Sequence, residues 1–176
     1  MGLVLKIFFQ EEARFGRIND PRRCWAPSGY PPLVGKQMIR EYTYCYGAVC
    51  PFDGDSCYLI LPAMNTPCMN VFLQELSDRY PNNLLLFVCD GAACHRSGDL
   101  IIPSNIIMLS LPPYSPELNP SENNWDDMRE KFFKNTVFDS MEAVINQLST
   151  ACCFYEDNPK VIHALASWDW ITLVRS

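Results

Sequence analysis

Three acidic residues lie at positions where a carboxylate could take part in catalysis. Glu11 follows an apolar N-terminal segment, Asp90 follows the most continuous apolar run, and Glu122 lies at the predicted start of a helix. Ligands of open α/β sheets collect beyond the carboxyl ends of strands, so Glu11 and Asp90 would lie side by side if their strands are neighbours. Converging carboxylates repel one another unless a divalent cation neutralises them, and carboxylate oxygens favour Mg²⁺ or Mn²⁺. Two such ions, roughly 3.5–4 Å apart, would suit phosphodiester displacement by a water or a 3′-hydroxyl.

Each acid taken alone has a simpler explanation. An Asp before Gly, as at Asp90, is typical of a turn. Glu122 in a first helical turn is a favourable charge on the helix dipole, and the adjacent Glu11 and Glu12 could be solvated at a strand end. The ordered set, and not any single acid, indicates a site.

The segment before Glu122 is stiffened by three prolines, which fix φ and favour extended conformations in the residues before them. They are Pro112, Pro113 and Pro116. Asn119 is typical of an N-cap, and Pro120 is typical of a first helical position. Apolar residues then recur at helical spacing through Phe133, so the sequence predicts an acid held at a helix start behind a rigid loop.

The hydrophobic pattern predicts the elements that would position these acids. Strands are predicted over 3–9, 42–50, 56–61, 84–89 and 106–109, with a shorter candidate at 22–25. A turn at 51–55 joins two of them into an antiparallel hairpin. Helices are predicted from a Thr66 cap, from Asn119, from an Asp139 cap to about 153, and from Asn158. A hairpin followed by alternating strands and helices predicts an α/β fold with a mixed sheet and helices on both faces.

Composition favours a single globular domain over residues 1–176. The hydrophobic share is 48% and the net charge is −6. The charge is uneven, because residues 1–40 hold seven basic and three acidic residues. This end of the chain could face phosphates, or it could be a solvated charged face. No apolar run approaches the ~18 residues of a membrane span, and no secretion signal is evident, which predicts a cytoplasmic protein without a membrane partner. The nine scattered cysteines predict reduced thiols, with zinc at Cys89, Cys94 and His95 as the weaker alternative.

Four ordered segments resemble the catalytic domain of bacterial insertion-sequence transposases of the mariner-like DDE superfamily. They are Phe-Gln-Glu-Glu-Ala-Arg-Phe-Gly at 9–16, Trp-Ala-Pro-Ser-Gly at 25–29, Asp-Gly-Ala-Ala-Cys-His at 90–95, and the proline-rich 111–125. The resemblance implies a ribonuclease H-like fold, and DNA cleavage and strand transfer at insertion-sequence ends with two Mg²⁺ or Mn²⁺ ions. It implies that Glu11, Asp90 and Glu122 are the catalytic, metal-binding acids. The separation of 32 residues between the last two is close to the spacing in such enzymes.

Further residues within or beside these segments are expected to support the site. Arg14, Arg22, Arg23 and His95 are expected to contact DNA phosphates, with surface charge and a turn histidine as the alternative. Tyr114 and Asn119 are expected to shape the loop that aims Glu122. Trp25 and Trp125 are predicted to be core aromatics and not base-stacking platforms.

Two departures from the family pattern affect the expected activity. The pattern has Asp-Glu where this chain has Glu11-Glu12, so the first acid is longer by one methylene. Such enzymes also carry an N-terminal helix-turn-helix region, whereas this chain begins at the first catalytic strand. The expected partners are inverted-repeat and target DNA, with a homodimer or a separate DNA-binding polypeptide, at the nucleoid of a bacterium. The competing hypotheses are a catalytically impaired or co-opted DNA-binding fragment and a stand-alone ribonuclease H-like nuclease.

Overall fold

The fold is built on one five-stranded mixed sheet, as seen in a computed structural model that describes residues 4–19, 21–91, 98–113 and 115–173. The strand order is β3-β2-β1-β4-β5. The strands are β1 (Val4–Ile18), β2 (Met38–Val49), β3 (Ser56–Leu61), β4 (Asn83–Cys89) and β5 (Ile106–Ser110). β1, β2 and β3 pair antiparallel, and β4 and β5 extend the sheet in parallel from β1. The predicted hairpin and mixed sheet are confirmed.

Helices cover both faces of the sheet, as the sequence predicted. They are α1 (Thr66–Arg79), α2 (Ser121–Met128), α3 (Met141–Asp157), α4 (Pro159–Ala166) and α5 (Asp169–Leu173), with a 3₁₀ turn (Pro116–Leu118) before α2 and a π-helical turn (Arg129–Phe133) after it. α1 packs on the face that carries Phe8 and Phe87. The other four helices pack on the opposite face, around Phe9, Phe15 and Trp125.

β1 is much longer than the strand predicted at 3–9, so the predicted C-terminal end of this strand is wrong. Glu11 and Glu12 do not end the strand, because β2 supplies pairing partners as far as Ile18, opposite Met38. The alternate residues Ala13 and Phe15 are buried on the same face as Phe9. Glu11 therefore lies inside a strand and shares the face covered by α2.

Trp125 anchors α2 against the sheet at one glycine. A Cβ at Gly47 would lie 2.6 Å from Trp125 Cη2 and 2.7 Å from Cζ2, so the indole ring packs directly on the β2 backbone. Gly47 is the pairing partner of Glu11. The contact therefore brings the first turns of α2 close to Glu11, and it confirms Trp125 as a core aromatic that is 1% exposed.

Gly47→Ala should lower the free energy of unfolding by about 1–3 kcal/mol, because the added methyl forces the Trp125 ring and α2 away from the sheet. Urea unfolding followed by tryptophan fluorescence measures the change. Gly98→Ala is the matched control, since a Cβ there meets nothing within 4 Å. It should change stability by less than about 0.5 kcal/mol. Equal losses in both variants would contradict this role of Gly47.

Several local predictions need correction. Residues 21–37 contain no strand, so the candidate at 22–25 is wrong, and Trp25 is fully exposed instead of buried. The caps of α1 and α3 are Asn65 and Ser140, each one residue away from the predicted cap. The residue before α2 is Pro120 and not Asn119, whose side chain bonds both to the Ser121 amide and to β1.

Eight cysteines of the described ranges are free thiols, and Cys89 is buried, whereas Cys94 and His95 lie outside those ranges. In the part of the chain that the structure describes, none of the helices combines the length and apolar character needed to cross a bilayer.

Candidate active site

The parallel register of β1 and β4 brings Glu11 and Asp90 to the same level of the sheet. Phe9 pairs with Val88, an offset of 79 residues, and the same offset carried two residues further matches Glu11 with Asp90. Asp90 directly follows Cys89, the last residue of β4. Neighbouring strands lie about 4.8 Å apart, so these two acids lie beside each other at the end of the parallel ladder.

Side chains at the start of α2 hold Glu122 against the same part of β1. Ser121 Oγ donates to the Phe9 carbonyl at 2.9 Å, and Asn119 Nδ2 donates to the Gln10 carbonyl at 3.1 Å. The Glu122 amide in turn donates to the Asn119 carbonyl at 3.2 Å. The two side-chain bonds join residues more than a hundred positions apart and fix the first turn of α2 next to Glu11.

Asn119 also holds the Glu11 side chain directly. Its Nδ2 donates to Glu11 Oε2 at 2.7 Å, and its Oδ1 accepts from the Ser121 amide at 3.2 Å. Asn119 is 1% exposed. This buried amide joins the strand, the loop and the helix, and a site-shaping role for Asn119 stays a prediction.

The electrostatics of Glu11 show that the three acids are close together. Burial, and after it the negative charges of Glu122, Asp90 and Glu12, together raise the pKa of Glu11 to about 8, against the Asn119 hydrogen bond, which lowers it. Coulombic interaction falls with distance, so Glu122 and Asp90 must both lie near Glu11. Within the described ranges, no three His, Cys, Asp or Glu side chains form a ready cage for a metal ion. Clustered carboxylates of this kind are nevertheless the donor set that a hard divalent cation prefers.

The match to a protein family covers most of the chain, including Glu11, Asp90 and Glu122. Residues 6–145 match the family described as DDE superfamily endonuclease. The chain belongs to that family. A relative, the uncharacterized protein y4pE/y4sA of Sinorhizobium fredii (strain NBRC 101917 / NGR234), is 32% identical over 130 residues, which are 73% of this chain and 96% of the relative.

Solved structures similar to this DDE endonuclease domain include complexes of Mos1 transposase. The Mos1 paired-end complex with the left transposon end has a TM-score of 0.62 at 18% identity, covering 93% of this chain and 56% of the Mos1 chain. The Mos1 mariner paired-end complex with Mn has a TM-score of 0.63 at 19% identity, covering 91% and 53%. The chain thus spans about half the length of Mos1. The predicted ribonuclease H-like fold is confirmed.

The basic residues predicted to contact DNA lie in different surroundings in the DDE domain. The guanidinium of Arg14 lies 4.9 Å from the centre of the Tyr42 ring, on an exposed side chain. Arg22 contacts Glu130 and Asp126 at 3.3 and 3.4 Å, and Arg23 is exposed. His95 and Tyr114 lie outside the described residues. DNA contact by these residues stays a prediction.

One positioning residue of the DDE domain that sequence reasoning missed is Ser121. Nothing in the local pattern marks Ser121, since its partner is a backbone carbonyl of β1.

The raised pKa of Glu11 predicts a pH-dependent stability for the metal-free DDE domain. Both states carry the proton below the ordinary pKa of 4.5, where the stabilising contribution is complete. As the pH rises from 4.5 toward about 8, the unfolded chain loses the proton and the folded chain keeps it, so the free energy of unfolding falls. The loss should be on the order of 2 kcal/mol, after allowance for solvent screening of a partly exposed group.

Urea unfolding measures this change in stability for the wild type and for Glu11→Gln. The measurements run from about pH 4 to about pH 9, roughly the range over which Glu11 titrates. The free energy of unfolding of Glu11→Gln should exceed that of the wild type by an amount that grows as the pH rises. Glu142→Gln, which alters an exposed acid in the first turn of α3, serves as the control and should keep the wild-type profile. Parallel profiles of wild type and Glu11→Gln would mean that Glu11 titrates normally in the folded state.

Proposed function

We propose that this chain is the catalytic domain of a transposase, which cleaves DNA and transfers strands at insertion-sequence ends with divalent metal ions. The observation that carries the proposal is the convergence of three acids: the β1–β4 register matches Glu11 with Asp90, and hydrogen bonds from the start of α2 to β1 hold Glu122 beside them. The raised pKa of Glu11, caused by burial and by the charges of Glu122 and Asp90, agrees with this arrangement. Membership of the endonuclease family and the likeness to Mos1 paired-end complexes support the reaction class. The Mos1 complex with Mn supports the choice of ion.

Each acid has a proposed role in holding the ions. Asp90 and Glu122 are exposed and would bind from the end of β4 and from the first turn of α2, and Glu11 would bind from β1. Two bound Mg²⁺ or Mn²⁺ ions would supply activation of a water or a 3′-hydroxyl and stabilisation of the leaving oxygen. Asn119 positions Glu11, and Ser121 and Trp125 hold Glu122 at its distance from the sheet.

The proposed partners are inverted-repeat DNA and target DNA. A second copy of the chain or a separate DNA-binding polypeptide would complete the assembly, in the bacterial cytoplasm at the nucleoid.

Metal binding should displace the proton that Glu11 retains. Because the pKa of Glu11 is about 8, most of the metal-free protein carries this proton at neutral pH. Binding of Mn²⁺ requires the ionised carboxylate, so Mn²⁺ should release close to one proton and bind more tightly as the pH rises. Calorimetry in two buffers of different ionisation enthalpy measures this release, and Glu11→Gln should abolish it.

The activity test is Mn²⁺-dependent nicking of supercoiled plasmid DNA, with EDTA as the blank. Nicking that requires Mn²⁺ or Mg²⁺ supports the proposal. Metal binding without nicking, even with a DNA-binding region supplied in trans, would overturn it in favour of the impaired or co-opted fragment. Cleavage of RNA–DNA hybrids in place of duplex DNA would instead identify a ribonuclease H-like nuclease.

A further inference from the structure

A row of three residues on neighbouring strands lies beneath α2 and the loop before it. Gly47 of β2 pairs with Glu11 of β1 on one side and with Tyr58 of β3 on the other. Asn119 donates to Glu11, and the ring of Trp125 packs on Gly47. The helical segment therefore touches β1 through a polar contact and β2 through an apolar one.

A third contact joins α2 to β3. Asn124 Nδ2 donates to the Tyr58 hydroxyl at 2.8 Å. Asn124 is 1% exposed, and Tyr58 is 4% exposed. Within the described ranges Asn124 Oδ1 has no hydrogen-bond partner, so the Tyr58 hydroxyl is the group that holds this amide. A buried amide N–H is costly to leave unsatisfied, and the bond therefore fixes where Asn124 lies.

Tyr58 is itself held in place from two sides. Its backbone amide donates to Glu156 Oε1 of α3 at 3.0 Å, and its ring packs edge-on against the Trp125 ring with the centroids 5.9 Å apart. Burial raises the pKa of the Tyr58 phenol well above its usual value, so the hydroxyl keeps its proton at neutral pH. Tyr58 is therefore a fixed, neutral acceptor for Asn124.

The other contacts of α2 with the sheet leave its rotation about its own axis free. The Trp125 indole N–H has no hydrogen-bond partner in the described part of the chain, so this contact depends on packing alone. The side-chain bonds of Asn119 and Ser121 hold only the N-terminal end. Among the described residues, the bond between Asn124 and Tyr58 is the one side-chain hydrogen bond that links the middle of α2 to a strand.

Asn124 lies almost opposite Glu122 on α2. A helix turns about 100° per residue, so two residues separate these side chains by about 200°. Accordingly, Asn124 is buried and Glu122 is exposed. The ends of helical side chains lie roughly 5–6 Å from the helix axis, so a rotation of about 10° moves the Glu122 carboxylate by about 1 Å. A displacement of about 1 Å at a reacting centre can cost on the order of 10²-fold in rate.

We infer that Tyr58 is a positioning residue of the proposed metal site: its hydroxyl holds Asn124 and so fixes the rotation of α2 that aims Glu122 at the other two acids. This role rests on the proposed function, because bound ions are what make the position of Glu122 matter. Tyr58 acts through Asn124 and α2, and it would touch neither the ions nor the DNA.

Tyr58→Phe removes only the hydroxyl and tests this role. Electron paramagnetic resonance of free Mn²⁺ measures metal affinity without any need for nicking. The Kd for Mn²⁺ should rise about 10-fold, the lower end of the cost of losing an outer-shell partner of a metal. In the nicking assay the Mn²⁺ concentration at half-maximal rate should rise by the same factor, whereas the KM for plasmid DNA should not change.

A double variant, Tyr58→Phe with Asn124→Leu, separates positioning from stability. Neither new side chain leaves a buried polar group unsatisfied, so the double variant should recover most of the thermal stability that Tyr58→Phe loses. It still lacks the directional bond, so its Kd for Mn²⁺ should stay raised by about 10-fold. Recovery of Mn²⁺ affinity together with stability would show that the contact only supports the fold, and would overturn the inference.

Tyr46→Phe is the matched control for the loss of a buried hydroxyl. Tyr46 is fully buried on the face that α1 covers, and its hydroxyl donates to the Ala63 carbonyl at 3.0 Å. Tyr46→Phe should lose stability but keep the Mn²⁺ affinity of the wild type. An equal rise of the Kd in Tyr46→Phe, or an unchanged Kd in folded Tyr58→Phe, would overturn the role of Tyr58.

Failure of the proposed function would give different results. A wild type that neither binds Mn²⁺ nor nicks DNA would remove the proposed function and this role of Tyr58 with it. A wild type that binds Mn²⁺ and nicks DNA, with equal affinity in Tyr58→Phe, would remove only the role of Tyr58. Mn²⁺ binding without nicking, weakened in Tyr58→Phe, would remove catalysis and leave the positioning of the metal site standing.

Discussion

Glu122→Gln should reduce Mn²⁺-dependent nicking by more than about 100-fold, since loss of an indirect, outer-shell partner of a metal already costs about 10–100-fold. The amide removes both a carboxylate ligand and a negative charge from the group that includes Glu11 and Asp90. The fold should not change, because the Glu122 side chain is exposed and its amide bond to Asn119 is made by the backbone. The pKa of the Glu11 carboxyl should fall at the same time, because the charge of Glu122 raises it.

The matched control for this prediction is Glu117→Gln. Glu117 is an exposed acid in the 3₁₀ turn, on the same loop as Glu122 but before Asn119. Glu117→Gln should keep the nicking rate and the Mn²⁺ affinity of the wild type. Asp90→Asn should lose nicking as Glu122→Gln does. Nicking that survives in both Glu122→Gln and Asp90→Asn would show that the active site lies elsewhere.

Glu11→Asp should increase Mn²⁺-dependent nicking by up to about 100-fold, since a displacement of about 1 Å at a reacting centre can cost that factor. The longer Glu11 carboxylate is held by Asn119 Nδ2 at 2.7 Å in a partly buried position. An Asp carboxylate would lie one methylene closer to the backbone of β1, and the family pattern has Asp at this position. Kinetics over a range of Mn²⁺ concentrations would separate a gain in metal affinity from a gain in rate.

Glu12→Asp is the control for the shortened acid. Glu12 is the next residue on β1, so its side chain leaves the opposite face of the strand. The same shortening there should leave nicking unchanged. If Glu11→Asp has no more activity than the wild type, even with a DNA-binding region supplied in trans, residue 11 does not limit catalysis.

The acids and the sheet topology were predictable because they depend on short-range patterns. The apolar run before Asp90 indicates a buried strand, and its parallel neighbour has to carry Glu11 to the same edge. The prolines before Asn119 and the helical spacing through Trp125 place Glu122 in a first turn.

The exposure of Trp25 and the length of β1 were not predictable in this way. Trp25 is a residue type that is usually buried. It lies, however, in a segment without strand or helix, and its side chain is fully exposed. β1 continues past two glutamates because β2 pairs with it as far as Ile18. Strand length is a property of the partner strand, and the partner lies more than twenty residues away in the sequence.

The sequence by itself determined which residues could do chemistry, their order along the chain and the alternation of strands and helices that carries them. The tertiary structure decided which of them act on one another. Asn119, which the sequence predicts as a helix cap, donates a hydrogen bond to Glu11, 108 residues away. The pKa of Glu11 rises because burial and two distant charges meet at one carboxylate. Hydrogen bonding, desolvation and Coulomb energy depend on distance in space, and only the folded chain sets that distance.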